Sequence, residues 1–290
     1  MSANPIATPA VAQRLSKLPG VNILLMGPTG SGKTYFIGQL LEAGLKVRAI
    51  FTEPGMESVG KYFQDKGKEI PAEYHWHYIA PAGPDWSAMI DSADKINKMD
   101  QKGLSALSDI NKGKYREFIE VLTSLSNFKS DRDGSVHGAA DTWGTDTVLV
   151  IDSLSGLSMA AMNLVTGSKP VKSQGDWGMA MDNLERIITK LTTDLRCHFI
   201  MIAHVERETD EISGGSNIMV STLGKKLAPK VPRFFSDVIL TQRVGDKFSW
   251  STATTGVDTK ARNIPISNNI QPSISMILDS WKKNGGVIEP

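Results

Sequence analysis

The chain of 290 residues has a single cysteine, Cys197, which excludes an internal disulfide, a disulfide-stapled secreted fold and a zinc site built from cysteines. A reducing compartment fits. Charge of one sign is lacking too: 32 Lys and Arg stand against 31 Asp and Glu, for a formal net charge of +1. No global field therefore favours nucleic acid or an anionic membrane, and any such binding has to come from local patches. The longest apolar runs, such as Val148–Ile151 and Phe199–Ala203, are strand-sized and far short of the roughly 20 residues that cross a bilayer. Residues 1–18, with Pro5, Pro9, Arg14 and Lys17, lack the continuous apolar stretch of a signal peptide. They read as a flexible arm on a soluble, cytoplasmic protein with no membrane partner. Internal repeats and low-complexity tracts are missing as well. What is present is ordinary globular composition, 40% hydrophobic and 22% charged, which supplies a sizeable core and excludes disorder as the main state. The length suits one large α/β domain over residues 19–290.

Val21–Met26 is a short apolar run followed at once by glycine and proline, which predicts a buried central strand. After the loop Gly27–Gly32, Phe36, Ile37, Leu40 and Leu41 recur at helical spacing within Lys33–Ala43, and Gly44 stands where a helix ends. Lys46–Phe51 and Tyr74–Ile79 read as further strands. From Asp85 to Phe128 the period is 3.6, which predicts two helices, and the polar stretch Lys129–Thr145 reads as a poorly ordered loop; together they form a helical insertion at about 84–146. Strand Thr147–Ile151, a helix over about Asp176–Leu195 and strand His198–Ala203 follow. Val205–Thr222 reads as a mobile loop, and Ser236–Val244 with Phe248–Thr254 as a hairpin turning at Gly245-Asp246-Lys247. Strands alternating with helices before a terminal hairpin predict a mainly parallel sheet flanked by helices, with an antiparallel edge.

Gly27-Pro28-Thr29-Gly30-Ser31-Gly32-Lys33-Thr34 matches the phosphate-binding loop G-x-x-x-x-G-K-[ST] and lies between the strand and helix that the motif needs. Its backbone N–H groups and the helix N-terminus are suited to phosphate, with Tyr35 next in line. Lys33 is placed for the β- and γ-phosphates of ATP, and the Thr34 hydroxyl for Mg²⁺. The carboxylate that such a metal needs is Asp152, at the end of Val148-Leu149-Val150-Ile151-Asp152-Ser153. Glu53 closes the second strand and suits a general base for water, or else a solvated turn. His204 occupies the matching place after Phe199–Ala203, as a γ-phosphate sensor or as a group satisfying the strand end. Lys260 and Arg262 alternate on one strand face, either as fingers reaching a neighbouring subunit's γ-phosphate or as a charged edge strand. His75 and His77 share a strand face without further ligands and read as ordinary histidines. Lys225, Lys226, Lys230 and Arg233, beside Phe234 and Phe235, can track a phosphate backbone and stack bases, or form the solvated face and buried edge of a short helix.

Walker A at residues 27–34, Glu53, the Asp152-Ser153 pair, His204 and the late Lys260-Ala261-Arg262 together resemble the RecA-like P-loop ATPase superfamily. Within it the chain resembles phage-encoded single-domain ATPases of the Sak single-strand annealing type, over about Val21–Leu278. That resemblance implies a RecA-like core, ATP and Mg²⁺ as cofactors, and ATP-dependent binding of single-stranded DNA. It also implies a homo-oligomeric ring or filament and a role in phage recombination or replication, in the cytoplasm of a bacterial host, beside a single-strand-binding or replication protein. The loop after His204 is acidic at first, with Glu206, Glu208, Asp210 and Glu211, unlike a DNA-binding loop. Two other classes fit a phosphate loop: a small-molecule kinase, against which Glu53 suits water activation, and a nucleotide-gated adaptor or helicase loader without direct DNA contact.

Overall fold

The computed structural model describes residues 18–81, 83, 86–107, 112–209 and 216–290. Its centre is a sheet of seven strands: β1 (Asn22–Met26), β2 (Lys46–Phe51), β3 (Tyr74–Tyr78), β4 (Thr147–Asp152), β5 (His198–Ala203), β8 (Asp237–Val244) and β9 (Lys247–Ser251). They lie in the order β3-β2-β4-β5-β1-β8-β9. All neighbours are parallel except β8 and β9, which pair antiparallel from Leu240–Ser251 to Val244–Lys247. β4 and β5 are buried along their whole length, which is why they read as continuous apolar runs rather than alternating ones. The architecture is a mainly parallel sheet with helices on both faces and an antiparallel hairpin at one edge.

Successive side chains of a strand point to opposite faces. Leu24 and Met26 therefore enter one core, with α5 (Glu117–Ser126), α6 (Leu154–Thr166) and α7 (Gln174–Thr193). Ile23 and Leu25 enter the other, with α1 (Ile37–Glu42), α2 (Glu57–Asp65) and α9 (Ile274–Lys283). α7 begins in a capping box, where Ser173 Oγ accepts from Asp176 N (3.2 Å) and the Asp176 carboxylate accepts from Ser173 N (2.7 Å).

Several expectations are corrected. α1 starts at Ile37 rather than Lys33, because residues 33–36 form turns closed by i→i−3 bonds such as Ile37 N to Thr34 O (3.1 Å). The stretch 85–128 holds α3 (Trp86–Lys98), α4 (Gln101–Ala106) and α5 rather than two helices. Residues 129–145 are ordered: Ser130 N donates to Ser135 O and His137 N to Phe128 O, each at 2.8 Å. Asp131 ties this turn to β3 by accepting from Tyr78 N (2.7 Å) and meeting His77 Nδ1 (3.0 Å). Within Val205–Thr222, β6 (Val205–Thr209) and β7 (Ser216–Val220) form a two-stranded antiparallel ribbon; its residues are largely polar, so the periodic signal is weak. α2, α6 and α9 were not expected from the pattern. α6 is apolar on most sides and shows no single stripe. The expected arm, apart from Leu18, lies outside the described residues. Among the described residues no helix is long and apolar enough to cross a membrane.

One buried titratable group makes folding pH-dependent. His198 opens β5, its Nδ1 accepts from Val21 N (3.0 Å), and its ring meets Trp281 edge-on at 4.9 Å. Burial pushes its pKa down to about 4 despite nearby Asp146, with Lys282 acting in the same direction as burial. The unfolded chain takes up this proton near pH 6.5, so stability falls as pH drops below that value. The loss is about 2 kcal/mol between pH 7.5 and 5. Urea denaturation across this range is expected to show the slope in the native protein and a shallower one in His198→Gln. Identical slopes would rule His198 out as its source.

Candidate nucleotide site

The loop between β1 and α1 takes the form that a phosphate cradle requires. Gly30 and Gly32 have φ of 76° and 86°, the left-handed region where a side chain is strained. Gly27 is needed for a different reason: a Cβ there would lie 2.1 Å from Thr241 Oγ1 on β8. Thr241 backs the loop from beneath, 2.5 Å from Ser31 Oγ and 3.2 Å from the Met26 carbonyl oxygen. A lone threonine in an apolar strand was its only sequence signal.

Lys33 is buried, and its ammonium donates to the carbonyls of Gly27 (2.8 Å) and Pro28 (2.9 Å). Burial pushes its pKa down to about 8, against the pull of Asp152 and Glu53. The Thr34 hydroxyl donates to Asp152 Oδ2 at 2.6 Å. Burial raises Asp152 to about 6, although Thr34 and Lys33 favour its charged form. The parallel register brings these groups together: Asp152 pairs with Phe51 on β2 and Ile202 on β5, so Glu53 and His204 follow on either side of it. There Glu53 Oε2 and His204 Nε2 meet at 3.1 Å, both partly exposed. That hydrogen bond is the first cause holding Glu53 below the usual carboxylate range, with Ser153 and Lys33 adding to it against desolvation.

Below this pair, β2 and β4 are latched by one side chain. Thr52 Oγ1 donates to Ser153 O and accepts from Ser153 N, both at 3.0 Å. The peptide between Asp152 and Ser153 is cis. Ser153 then caps α6 by accepting from Gly156 N (3.4 Å). A Cβ on Gly156 would lie 2.3 Å from Thr52 Oγ1, so the helix start and the strand end approach as closely as a glycine permits. Thr52 and Gly156 escape a reading of motifs because their role is contact between elements far apart in the chain.

The donor set fits magnesium and a polyphosphate. The Asp152 carboxylate and Thr34 hydroxyl are the hard oxygen ligands that Mg²⁺ takes, and Lys33 sits among carbonyl partners that an anion can outcompete.

The structure does not bring the other candidates to this loop. Lys260 bridges Val238 at the sheet edge, level with Leu24 on β1, and its ammonium donates to Phe235 O (2.7 Å). The exposed Arg262 lies beyond it, its backbone N–H donating to Asp237 Oδ1 (2.7 Å). Both stand apart from their own phosphate loop. Lys225 and Lys226 lie in the short α8 (Gly224–Leu227); Lys226 and Arg233 are exposed, and Lys230 pairs with Glu185 at 3.1 Å. Phe235 is in the core, stacked on Phe199 with centroids 5.9 Å apart, and Phe234 packs against the same cluster. Base stacking by Phe235 is therefore corrected to a core role. His75 bonds Ser130 (3.1 Å), and His77 meets Asp131 and Glu120 (3.2 Å), tying β3 to its neighbours.

Among solved structures, the chain is similar to the RadB recombinase, with 16% identity over 86% of this chain and 84% of that one and a TM-score of 0.41. The flagellar accessory protein FlaH from Methanocaldococcus jannaschii aligns at 13% identity over 99% and 97% of the two chains, with a TM-score of 0.37. A prototypical ATPase of the type III secretion system of pathogenic bacteria aligns at 15% over 78% and 52%, with a TM-score of 0.34. No curated protein matches the chain in sequence. The family model described as an AAA domain, AAA_24, matches residues 20–263, and the chain belongs to that family.

Proposed function

We propose that this P-loop protein hydrolyses ATP to ADP and phosphate, and that hydrolysis is coupled to single-stranded DNA. The observation that carries the reading is the Glu53–His204 pair at 3.1 Å beside Asp152 and Thr34. Glu53 is a carboxylate at neutral pH, so it can take the proton from a water that attacks the γ-phosphorus while ADP leaves. Magnesium, when bound, neutralises charge on the β- and γ-phosphates. Lys33 and the loop N–H groups hold the phosphates, and His204 exchanges its bond to Glu53 for one to the γ-phosphate.

His204 runs directly into β6, and its carbonyl accepts from Ser221 N at 2.8 Å, just beyond β7. A ligand that shifts the β6–β7 ribbon is therefore felt at Glu53. Single-stranded DNA as that ligand follows from the resemblance to Sak-type phage proteins. So do a ring or filament and a role in annealing or strand exchange; Lys260 and Arg262 as fingers on a neighbour's nucleotide, and DNA contact through Lys225, Lys226, Lys230 and Arg233, rest on the charge and spacing of those residues.

Steady-state ATP hydrolysis at low and high protein concentration, with and without single-stranded DNA and with Lys33→Ala as blank, tests the reading. Turnover is expected to rise with both DNA and protein concentration, and Lys260→Ala to lower it about tenfold or more while ATP binding persists. Equal specific activity in a dilute monomer would remove the shared site. Indifference to DNA would favour the kinase or adaptor classes.

A further inference from the structure

Beside the phosphate loop, a cleft of ≈ 350 Å³ opens between α1 and the β8–β9 hairpin, within the size range of small-molecule sites. It begins at Ser31 and Gly32, runs past Tyr35 to Gln39, and is closed by Phe248 and Gln271. The sheet order makes its place informative. Asp152, Glu53 and His204 follow β4, β2 and β5 on one side of β1, and the cleft lies on the other side, against β9. A triphosphate whose terminal phosphate faces Thr34 and Asp152 has its nucleoside end at this cleft.

Its walls supply aromatic surface and few free polar groups. The Tyr35 and Phe248 rings are 5.9 Å apart at 37°, and the Arg243 guanidinium lies 5.7 Å from the Phe248 centroid. Phe248 reaches the loop because residue 32 is glycine: a Cβ there would stand 2.9 Å from its ring. Ser31 is taken by Thr241 and the Pro28 carbonyl. Both ends of the Gln39 amide are used, Nε2 donating to Pro272 O (3.1 Å) and Oε1 accepting from Ile274 N (3.3 Å). Tyr35 OH donates to Asp65 at 3.4 Å. Of the remaining polar side chains, Lys247 is exposed on a flexible stem, Gln271 carries an amide that offers a donor or an acceptor by turning over, and Trp250, itself almost wholly buried, adds one indole N–H donor.

We infer that this cleft receives the base and ribose of the bound nucleotide and grips the base by its aromatic face rather than by its edge, so that adenine and guanine triphosphates are accepted alike. This rests on the nucleotide-binding reading above and extends it from ATP to purine nucleoside triphosphates. Every base presents a π-face, so stacking is strong without being selective.

Calorimetric titration of the full chain with the β,γ-imido analogues of ATP and GTP, and with inorganic tripolyphosphate, tests it in the presence of Mg²⁺. The two analogues are expected to bind within about threefold of each other, and Phe248→Ala to weaken both about tenfold or more. Phe248→Tyr should restore binding. Tripolyphosphate, which has no base, should bind the native protein and Phe248→Ala equally, and this also certifies that the variant is folded. Unchanged analogue binding in Phe248→Ala, or a preference for one base of about thirtyfold or more, overturns the inference. Failure of the native protein to bind analogues and tripolyphosphate alike would instead overturn the phosphate-loop reading beneath it.

Discussion

Glu53→Gln is expected to lower ATP turnover by about 10²- to 10⁴-fold, the range of a lost general base, while a nucleotide analogue still binds. The substitution keeps the size of the side chain and the hydrogen bond to His204, and removes the capacity to accept a proton. The native carboxylate is held below its usual range, first by His204 at 3.1 Å, so it is charged wherever the protein is assayed near neutrality. His204→Ala separates the two roles of this pair. In the free enzyme Glu53 then loses its main stabilising partner, its pKa moves up, and the acid limb of the kcat/KM profile shifts to higher pH. Single-turnover hydrolysis read alongside analogue binding distinguishes the effects. A Glu53→Gln protein retaining more than about a tenth of native turnover would remove Glu53 from the base role.

Asp237→Ala is expected to cost about 4 kcal/mol of stability, as when one partner of a buried charged hydrogen-bond network is removed. The Asp237 side chain is fully buried at the start of β8. It accepts from the backbone N–H groups of Arg262 and Asn263 and from the Asn263 amide, each at 2.7 Å, and from Ser236 Oγ at 3.0 Å. Truncation leaves the three Arg262 and Asn263 donors, all in the segment that carries Lys260 and Arg262, without this acceptor, while Ser236 Oγ keeps the Asn22 carbonyl at 2.7 Å. Asp237→Asn keeps one oxygen and should lose less. Urea denaturation measures both, and a loss below about 1 kcal/mol in Asp237→Ala would show that water replaces the carboxylate. If Lys260 and Arg262 serve a neighbouring subunit, the concentration dependence of hydrolysis should weaken together with stability.

Asp237 also shows where sequence reading stops. Nothing around it resembles a motif, and its four donors come from adjacent Ser236 and from residues 25 and 26 positions away. Thr241 and Thr52 are similar, each holding an element remote in the chain. The phosphate loop was legible because its chemistry is local: eight consecutive residues must bend a strand into a helix around an anion. Asp152, Glu53 and His204 were legible one at a time, each as a polar residue closing an apolar run. Their meeting depends on a strand order and register that no run of residues encodes by itself. The β6–β7 ribbon was missed for another reason: its strands are mixed in polarity, and Val205, Met219 and Val220, which reach the core, follow no regular alternation.

By itself, the sequence determined the class of molecule: an α/β protein with a phosphate-loop motif, a carboxylate closing a buried strand and strands long enough only for a buried sheet. Those properties follow from composition, short-range periodicity and contiguous motifs. Tertiary structure decided which side chains work together. Parallel register set Glu53 against His204 over Asp152, folding of the β8–β9 hairpin brought Phe248 onto Gly32 to wall a cleft, and packing decided Phe235 as core rather than as a base-stacking aromatic. The physical reason is that hydrogen bonding, desolvation and stacking depend on distances between atoms, and residues scores of positions apart acquire a distance only when the chain folds.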